Sequence, residues 1–168
     1  MTYTAPARAL HWVMALAIIP MLLFGEQTMG DHAAGWLPTV HASAGLVIFA
    51  LLIARVAWRL RSPPPAALHD AAWLLWASRI VHGLLYLAML LLPLTGWLAY
   101  TEHVRRSFGE PPATWFGYEI LLLPDFAINW HRIHNWGGKL VLALIVLHIA
   151  AALKHHFYDH DETLRRML

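Results

Sequence analysis

Four apolar runs, each near the length of a bilayer crossing, constrain this chain more than any other feature. Residues 10–29, 37–60, 71–100 and 136–153 each approach or exceed the roughly 20 residues that a helix needs to span the hydrocarbon core. Composition agrees. The chain of 168 residues is 59% hydrophobic and only 13% charged, where a soluble domain carries about a quarter charged residues. The reading is an all-α integral membrane four-helix bundle, one domain over residues 1–168, with little chain left for a soluble domain.

The basic residues set the expected orientation. Arg8, Arg55, Arg59, Arg61, Arg79, Lys154, Arg165 and Arg166 fall at the two termini and around the second connection. Arg105, Arg106, Arg132 and Lys139 fall on the other side, among Glu26, Asp31, Glu102, Glu110, Glu119 and Asp125. The positive-inside rule then puts both termini in the cytoplasm. The first run is long and lacks a small-residue cleavage site, so it reads as an uncleaved helix. The sequence pI near 9.2 follows from topology and lipid contact, and no nucleic-acid partner is expected.

Prolines divide the chain. "RSPPPAALHD" (61–70) cannot continue a helix, because consecutive prolines lack donors and clash with the preceding turn. It is the expected cytoplasmic linker. Residues 30–35 form the expected short outer turn. The outer connection, 102–129, is the longest. Within it "TWFGYEILLLPDF" (114–126) is apolar and aromatic but too short to span, which predicts an interfacial segment that caps the bundle. The chain contains no cysteine. Disulfides, cysteine-ligated iron–sulfur clusters and thioether-linked haem are therefore excluded.

Histidine is the informative residue type, with 12 in the chain. His32, His69, His103 and His160 lie in polar connections and read as solvated. His155 and His156 sit at the inner end of the fourth span, where imidazoles reach headgroups. Four others are different, because imidazole within a span is costly and usually faces the interior or a ligand. In "HNWGGKLVLALIVLH" (134–148), His134 and His148 stand 14 residues apart. That is nearly four whole turns, about 21 Å along one helix face. His134 then shares the depth of His41, and His148 that of His11. Each of the four is followed at i+4 by Ala15, Gly45, Gly138 or Ala152, whereas none of the other histidines has Ala or Gly there. A flat macrocycle lying on a helix needs that room.

Paired neutral imidazoles in an apolar bundle suit haem b, whose iron takes two axial nitrogens from facing helices. The expected ligand pairs are His11/His148 and His41/His134. Polar packing is the bland alternative. A histidine-based metal or proton transporter is the rival from another class, but such paths recruit carboxylates, and the spans are nearly free of Asp and Glu.

These residues carry a resemblance. "RALHW" (8–12), "HASAGL" (41–46), "RIVHGLLYLAMLLLPLTG" (79–96), "WFG" (115–117), the histidine pair of 134–148 and "ALKHHFYDHDETLRRM" (152–167) resemble the bacterial cytochrome b561 family over nearly the whole chain. The resemblance implies a four-helix protein of the bacterial inner membrane with two bis-histidine haems b. It places His11, His41, His134 and His148 on the ligand positions. It also implies an oxidoreductase that passes electrons from periplasmic superoxide to ubiquinone. Related cytochrome b subunits anchor hydrogenases and dehydrogenases and need a soluble partner. Where a relative carries an acid after the first histidine of the fourth span, this chain has Asn135.

Other polar residues acquire candidate roles around such haems. Arg8, Arg55 and Arg59 are candidates for propionates of the inner haem, although topology alone accounts for them. Lys139 either snorkels outward or meets an outer propionate. Arg105, Arg106, Arg132 and Lys139, with His131, form a possible cationic mouth for a small anion. Arg79, His82, His155 and His156 are the polar candidates for quinone; with Tyr86 at i+4, His82 also reads as a packing residue. The tryptophans near span ends fit an aromatic belt in contact with lipid.

Overall fold

The computed structural model describes residues 2–29, 36–66, 68, 71–108, 113–115, 118–120 and 128–168; side chains are described for all of these except Met29, residues 103–108 and the strands. It contains four long helices: α1 (Ala5–Met29), α2 (Leu37–Arg61), α3 (Ala72–Phe108) and α4 (Trp130–Phe157). All four are long and apolar enough to cross a membrane. They pack as a closed ring, α1 on α2, α2 on α3, α3 on α4 and α4 on α1. This is the all-α four-helix bundle expected from the apolar runs.

The helix ends follow from local chemistry. Pro38 stands in the first turn of α2, where its missing N–H costs nothing. The helix stops at Arg61, before the prolines of the linker, with Ser62 N–H closing onto the Trp58 carbonyl at 2.8 Å. Asn129 caps α4 by accepting from the Arg132 backbone N–H at 2.8 Å. That cap starts α4 at Trp130 rather than at the first fully apolar turn near Trp136. Helix α3 likewise runs past Tyr100 to Phe108, because the next helix breakers are Gly109, Pro111 and Pro112. Polar residues at both helix ends lie beyond the apolar zone and do not interrupt the backbone ladder. The helices continue through Pro20 and Pro93.

The long outer connection holds an element that its apolar composition did not show. Ala113–Trp115 (β1) and Tyr118–Ile120 (β2) pair antiparallel, with Thr114 opposite Glu119. Strand β1 lies against α2. The remainder of 114–126 and the expected turn at 30–35 lie outside the described residues.

The apolar core sits at mid-depth. Met14 and Ile18 of α1 and Ile48 and Leu52 of α2 are buried, and Tyr86, Met89 and Ile145 pack against them. The outward faces carry exposed Leu16, Leu23, Ile53, Leu84, Leu140 and Val146, the surface expected against lipid. After α4 the chain folds back over the end that holds the N-terminus. Arg166 O accepts from Tyr3 N–H at 3.2 Å, Met167 O accepts from Trp12 Nε1 at 2.7 Å, and the Arg166 guanidinium donates to Ala66 O at 2.6 Å. Both termini are therefore at the same end of the bundle.

Candidate functional site

The four singled-out histidines meet in two pairs, one on each side of the core. At the end away from the termini, His41 of α2 faces His134 of α4 with ring centres 6.1 Å apart. At the terminal end, His11 of α1 faces His148 of α4 at 6.2 Å. An imidazole–metal bond is about 2 Å long. Adding roughly 1 Å from each nitrogen to its ring centre makes two axial imidazoles about 6 Å apart. Both pairs fit that span.

The outer pair is held in the tautomer that a metal needs. His134 Nδ1 lies 3.0 Å from the Leu92 carbonyl of α3. A carbonyl only accepts, so Nδ1 carries the proton and Nε2 keeps its lone pair. On the other side, the Thr28 hydroxyl donates to Gly25 O at 2.7 Å and stands 2.9 Å from His41 Nδ1. With its one proton spent on the carbonyl, that oxygen accepts from His41 Nδ1–H. Both rings thus present Nε2, each oriented by a neutral acceptor, as metal-ligating histidines commonly are.

Two glycines let these rings approach their neighbours. A Cβ at Gly96 would stand 2.8 Å from His134 Cε1, and one at Gly25 would stand 3.3 Å from His41 Cε1. Gly45, one turn beyond His41, behaves differently, since a Cβ there would meet no protein atom within 4 Å. That open flank fits a flat ring lying along α2.

Charge organises the inner pair. Arg55 Nη2 lies 3.1 Å from His11 Nδ1, and Arg55 Nε donates to the Tyr86 hydroxyl at 3.2 Å. A guanidinium only donates, so this contact leaves the His11 proton on Nε2. Ligation through Nε2 therefore requires Arg55 to release His11, and a propionate is a suitable new partner for it. Arg8 Nε is also buried without a hydrogen-bond partner, which leaves a donor free for an acidic group. Arg59 lies over the Tyr86 ring at 5.6 Å.

A third imidazole joins the inner pair. The ring centre of His82 is 5.4 Å from that of His148, and His82 Nδ1 is 2.7 Å from Ser78 O. The other quinone candidates lie elsewhere. Arg79 stacks over Trp76 at 5.6 Å, and the His156 ring lies against Phe157. His155 Nδ1 stands 2.9 Å from Asp159 and 3.0 Å from Asp161, and Lys154 also binds Asp159 at 2.7 Å. These groups tie the tail to the end of α4.

At the outer rim, Lys139 pairs with Glu26 at 3.1 Å and lies over Trp136. Arg132 and His131 are exposed. The side chains of Arg105 and Arg106 lie outside those described. Sequence reasoning did not place Thr28, Gly25, Gly96 or the Leu92 carbonyl at the outer pair. A glycine inside an apolar helix, with a threonine three residues on, was the available signal.

Comparison with known proteins decides the family. The family model for prokaryotic cytochrome b561 matches residues 2–168. The chain belongs to that family. It is 33% identical to cytochrome b561 homolog 2 of Escherichia coli K12, covering 99% of this chain and 90% of that protein. A protein named probable superoxide oxidase CybB, from Yersinia pestis, is 24% identical over 99% of this chain and 95% of its own length. A protein named probable Ni/Fe-hydrogenase B-type cytochrome subunit, from Rhizobium leguminosarum bv. viciae, is 22% identical over 99% of this chain and 85% of its own length. As a b561-family member the chain is a b-type cytochrome, a multi-pass electron-transfer protein of the bacterial inner membrane. The paired imidazoles, tautomer-fixed in the His41–His134 pair, the open flank at Gly45 and the buried Arg8 donor fit the haem b that the family implies.

Proposed function

We propose that this chain is a self-contained di-haem oxidoreductase that carries single electrons from periplasmic superoxide to ubiquinone. The observation that supports this most is the pair of pairs: two imidazole couples at metal-spanning separation, at opposite ends of one bundle. Haem b supplies reversible one-electron chemistry at each couple. The ligands are His41 with His134 at the outer site and His11 with His148 at the inner site. The single domain spans residues 1–168. The positive-inside rule puts the His11 end, with Arg55, Arg59, Arg61, Lys154, Arg165 and Arg166, in the cytoplasm.

The protein's own groups then divide the work. Arg8 and Arg55 hold propionates at the inner site. Arg132, with Arg105 and Arg106 on the same outer side, draws a small anion toward His41 and His134. Of the four quinone candidates, His155 is held by Asp159 and Asp161 and His82 by the Ser78 carbonyl, which leaves Arg79 and His156 as the polar groups for a quinone and its protons. The reaction balances as two superoxide anions, one quinone and two protons giving two dioxygen molecules and one quinol.

The test is the purified protein. Two low-spin haems b per chain are expected, and anaerobic addition of superoxide is expected to yield ubiquinol without a second protein. A second reading comes from the hydrogenase cytochrome subunits among the relatives, namely a membrane anchor for a soluble dehydrogenase. Haem reduction only in the presence of a co-purifying partner would favour that reading. A preparation that binds no haem would favour a transporter.

A further inference from the structure

Two of the four proposed ligands already have an acceptor at Nδ1, namely Thr28 for His41 and Leu92 O for His134, while the Arg55 donor on His11 has to give way on ligation. A ligating His148 also needs such a partner. Coordination through Nε2 puts its proton on Nδ1, and that N–H must find an acceptor in an apolar setting.

The geometry points to His82 as the hydrogen-bond partner that orients His148. Two observations carry this. First, the Ser78 carbonyl at 2.7 Å takes the His82 Nδ1 proton, so His82 Nε2 has a lone pair and no proton. Second, imidazoles joined by an N–H···N bond of about 3 Å have ring centres about 5 Å apart. The observed separation is 5.4 Å, with the planes at 82°. A small rotamer adjustment closes the bond. The result is a relay from the inner iron through His148 and His82 to the Ser78 backbone, the imidazole counterpart of a carboxylate behind a metal-bound histidine. His82 is then a positioning residue. It raises the basicity of His148, stabilises ferric over ferrous iron and lowers the inner potential. The outer site has no such imidazole among the described residues. The relay thus makes the two potentials differ by a device that the ligand set alone does not contain.

This inference rests on His148 being the inner axial ligand, so the two are tested together in the intact protein. His148→Ala is expected to lose the inner low-spin signal and keep the outer one; retention of both haems overturns the ligand reading itself. His82→Ala is expected to keep two low-spin haems. At a fixed potential near the inner midpoint, its inner ferrous-to-ferric ratio should rise about tenfold, equal to about 59 mV for one electron, with the outer haem unchanged. His82→Gln, which restores an acceptor at similar reach, should recover most of the shift. His82→Phe keeps ring volume without an acceptor and replaces the alanine variant if that does not accumulate. Unchanged inner potentials in the folded alanine or phenylalanine variant overturn the relay while leaving the ligand reading intact. So does loss of the inner low-spin signal in those variants, which would make His82 an axial ligand instead of a partner.

Discussion

The two histidine pairs are nearly identical in ring separation, 6.1 and 6.2 Å, and differ in what surrounds them. The outer rings are fixed by neutral acceptors, Thr28 and the Leu92 carbonyl, and pressed against Gly25 and Gly96. The inner pair has Arg55 on His11 and a third imidazole beside His148, with Arg59 over the Tyr86 ring that Arg55 also meets. Packing and tautomer leave both outer rings ready to offer Nε2 to a metal. The inner pair offers donors to acidic groups, and His11 could offer Nε2 only if Arg55 found another partner. Equal spacing therefore does not mean equal sites: the outer pair is specified by shape, the inner by charge.

Removing the ligands breaks the comparison at its root and has the largest expected effect. His41→Ala or His134→Ala should abolish the outer haem, and His11→Ala or His148→Ala the inner one. Each variant should keep about half the haem, measured as haem per protein and as low-spin signals. Four variants that all kept two haems would falsify the assignment.

The shape argument is sharpened by the glycines. Gly96→Ala places a methyl 2.8 Å from His134 Cε1, and such overpacking costs about 1–3 kcal/mol. Outer haem affinity should fall by about tenfold, with the inner haem untouched. Gly25→Ala, at 3.3 Å, should cost less. Gly45→Leu is the informative control, because the protein itself offers nothing to clash with there. Loss of outer haem in a folded Gly45→Leu protein would report a ring lying over α2, whereas full retention would place the ring elsewhere. Haem titration of the apoprotein separates these cases.

Next in size comes the tautomer. Thr28→Val removes the oxygen that accepts from His41 Nδ1–H. Loss of such a partner typically weakens metal binding 10–100-fold. We expect the lower end of that range at the outer site, since the hydroxyl is only one of several contacts. A haem titration with no change at either site would show that Thr28 does not orient His41.

These differences explain what the sequence made legible. The apolar runs located all four helices, because in lipid the backbone must bond within itself. The helical repeat between His134 and His148 located both pairs, since a rigid rod converts residue number into depth. What escaped was contact between rods. Gly96 beneath His134, Thr28 beneath His41 and His82 beside His148 depend on the rotation of one helix against another, which no single helix period encodes. The helix ends at Phe108 and Trp130 escaped for another reason: capping and breaker residues, not hydropathy, stop a helix outside the bilayer. Strand pairing of β1 with β2, inside the segment expected at the interface, depends likewise on contacts that hydropathy does not encode.

The tail offers a weaker contrast, since it covers only the inner end. Lys154 donates to both oxygens of Asp159 at 2.8 and 2.7 Å, which holds that carboxyl below its usual range despite the opposing charge of Asp161 nearby. His155 faces the same two carboxylates. A lowered folded-state pKa means that the contribution is present above the ordinary carboxylate value of about 4 and is lost as pH falls through the lower folded value. Amide protection factors in 158–168, corrected for the intrinsic pH dependence of exchange, should therefore hold steady from neutral pH to about 5 and fall only in stronger acid. A fall in protection near neutral pH would show that Asp159 does not hold the tail.

The smallest effect concerns charge at the outer rim, where the comparison between sites is most easily misread. Sequence placement pools Lys139 with Arg105, Arg106 and Arg132 as anion-steering residues, as though its charge stood free. Glu26 meets it at 3.1 Å, and both side chains are more than half exposed. Water and salt screen an exposed pair of this kind, so breaking it should hardly alter stability. Its effect on encounter is more telling. With Glu26 present, the two charges nearly cancel beyond a Debye length of about 8 Å at physiological salt. Lys139→Gln then leaves an uncovered carboxylate and should slow superoxide-driven haem reduction modestly. Glu26→Gln uncovers the ammonium and should speed it by a similar factor of about two to three at low ionic strength. The double variant should match the wild type. All four rates should converge as salt rises, and the haem spectra should not change. Stopped-flow reduction across a salt series measures this. Rates that ignore both substitutions at low salt would place the approach path away from α1 and α4, and would leave Arg132, Arg105 and Arg106 as the residues to neutralise next.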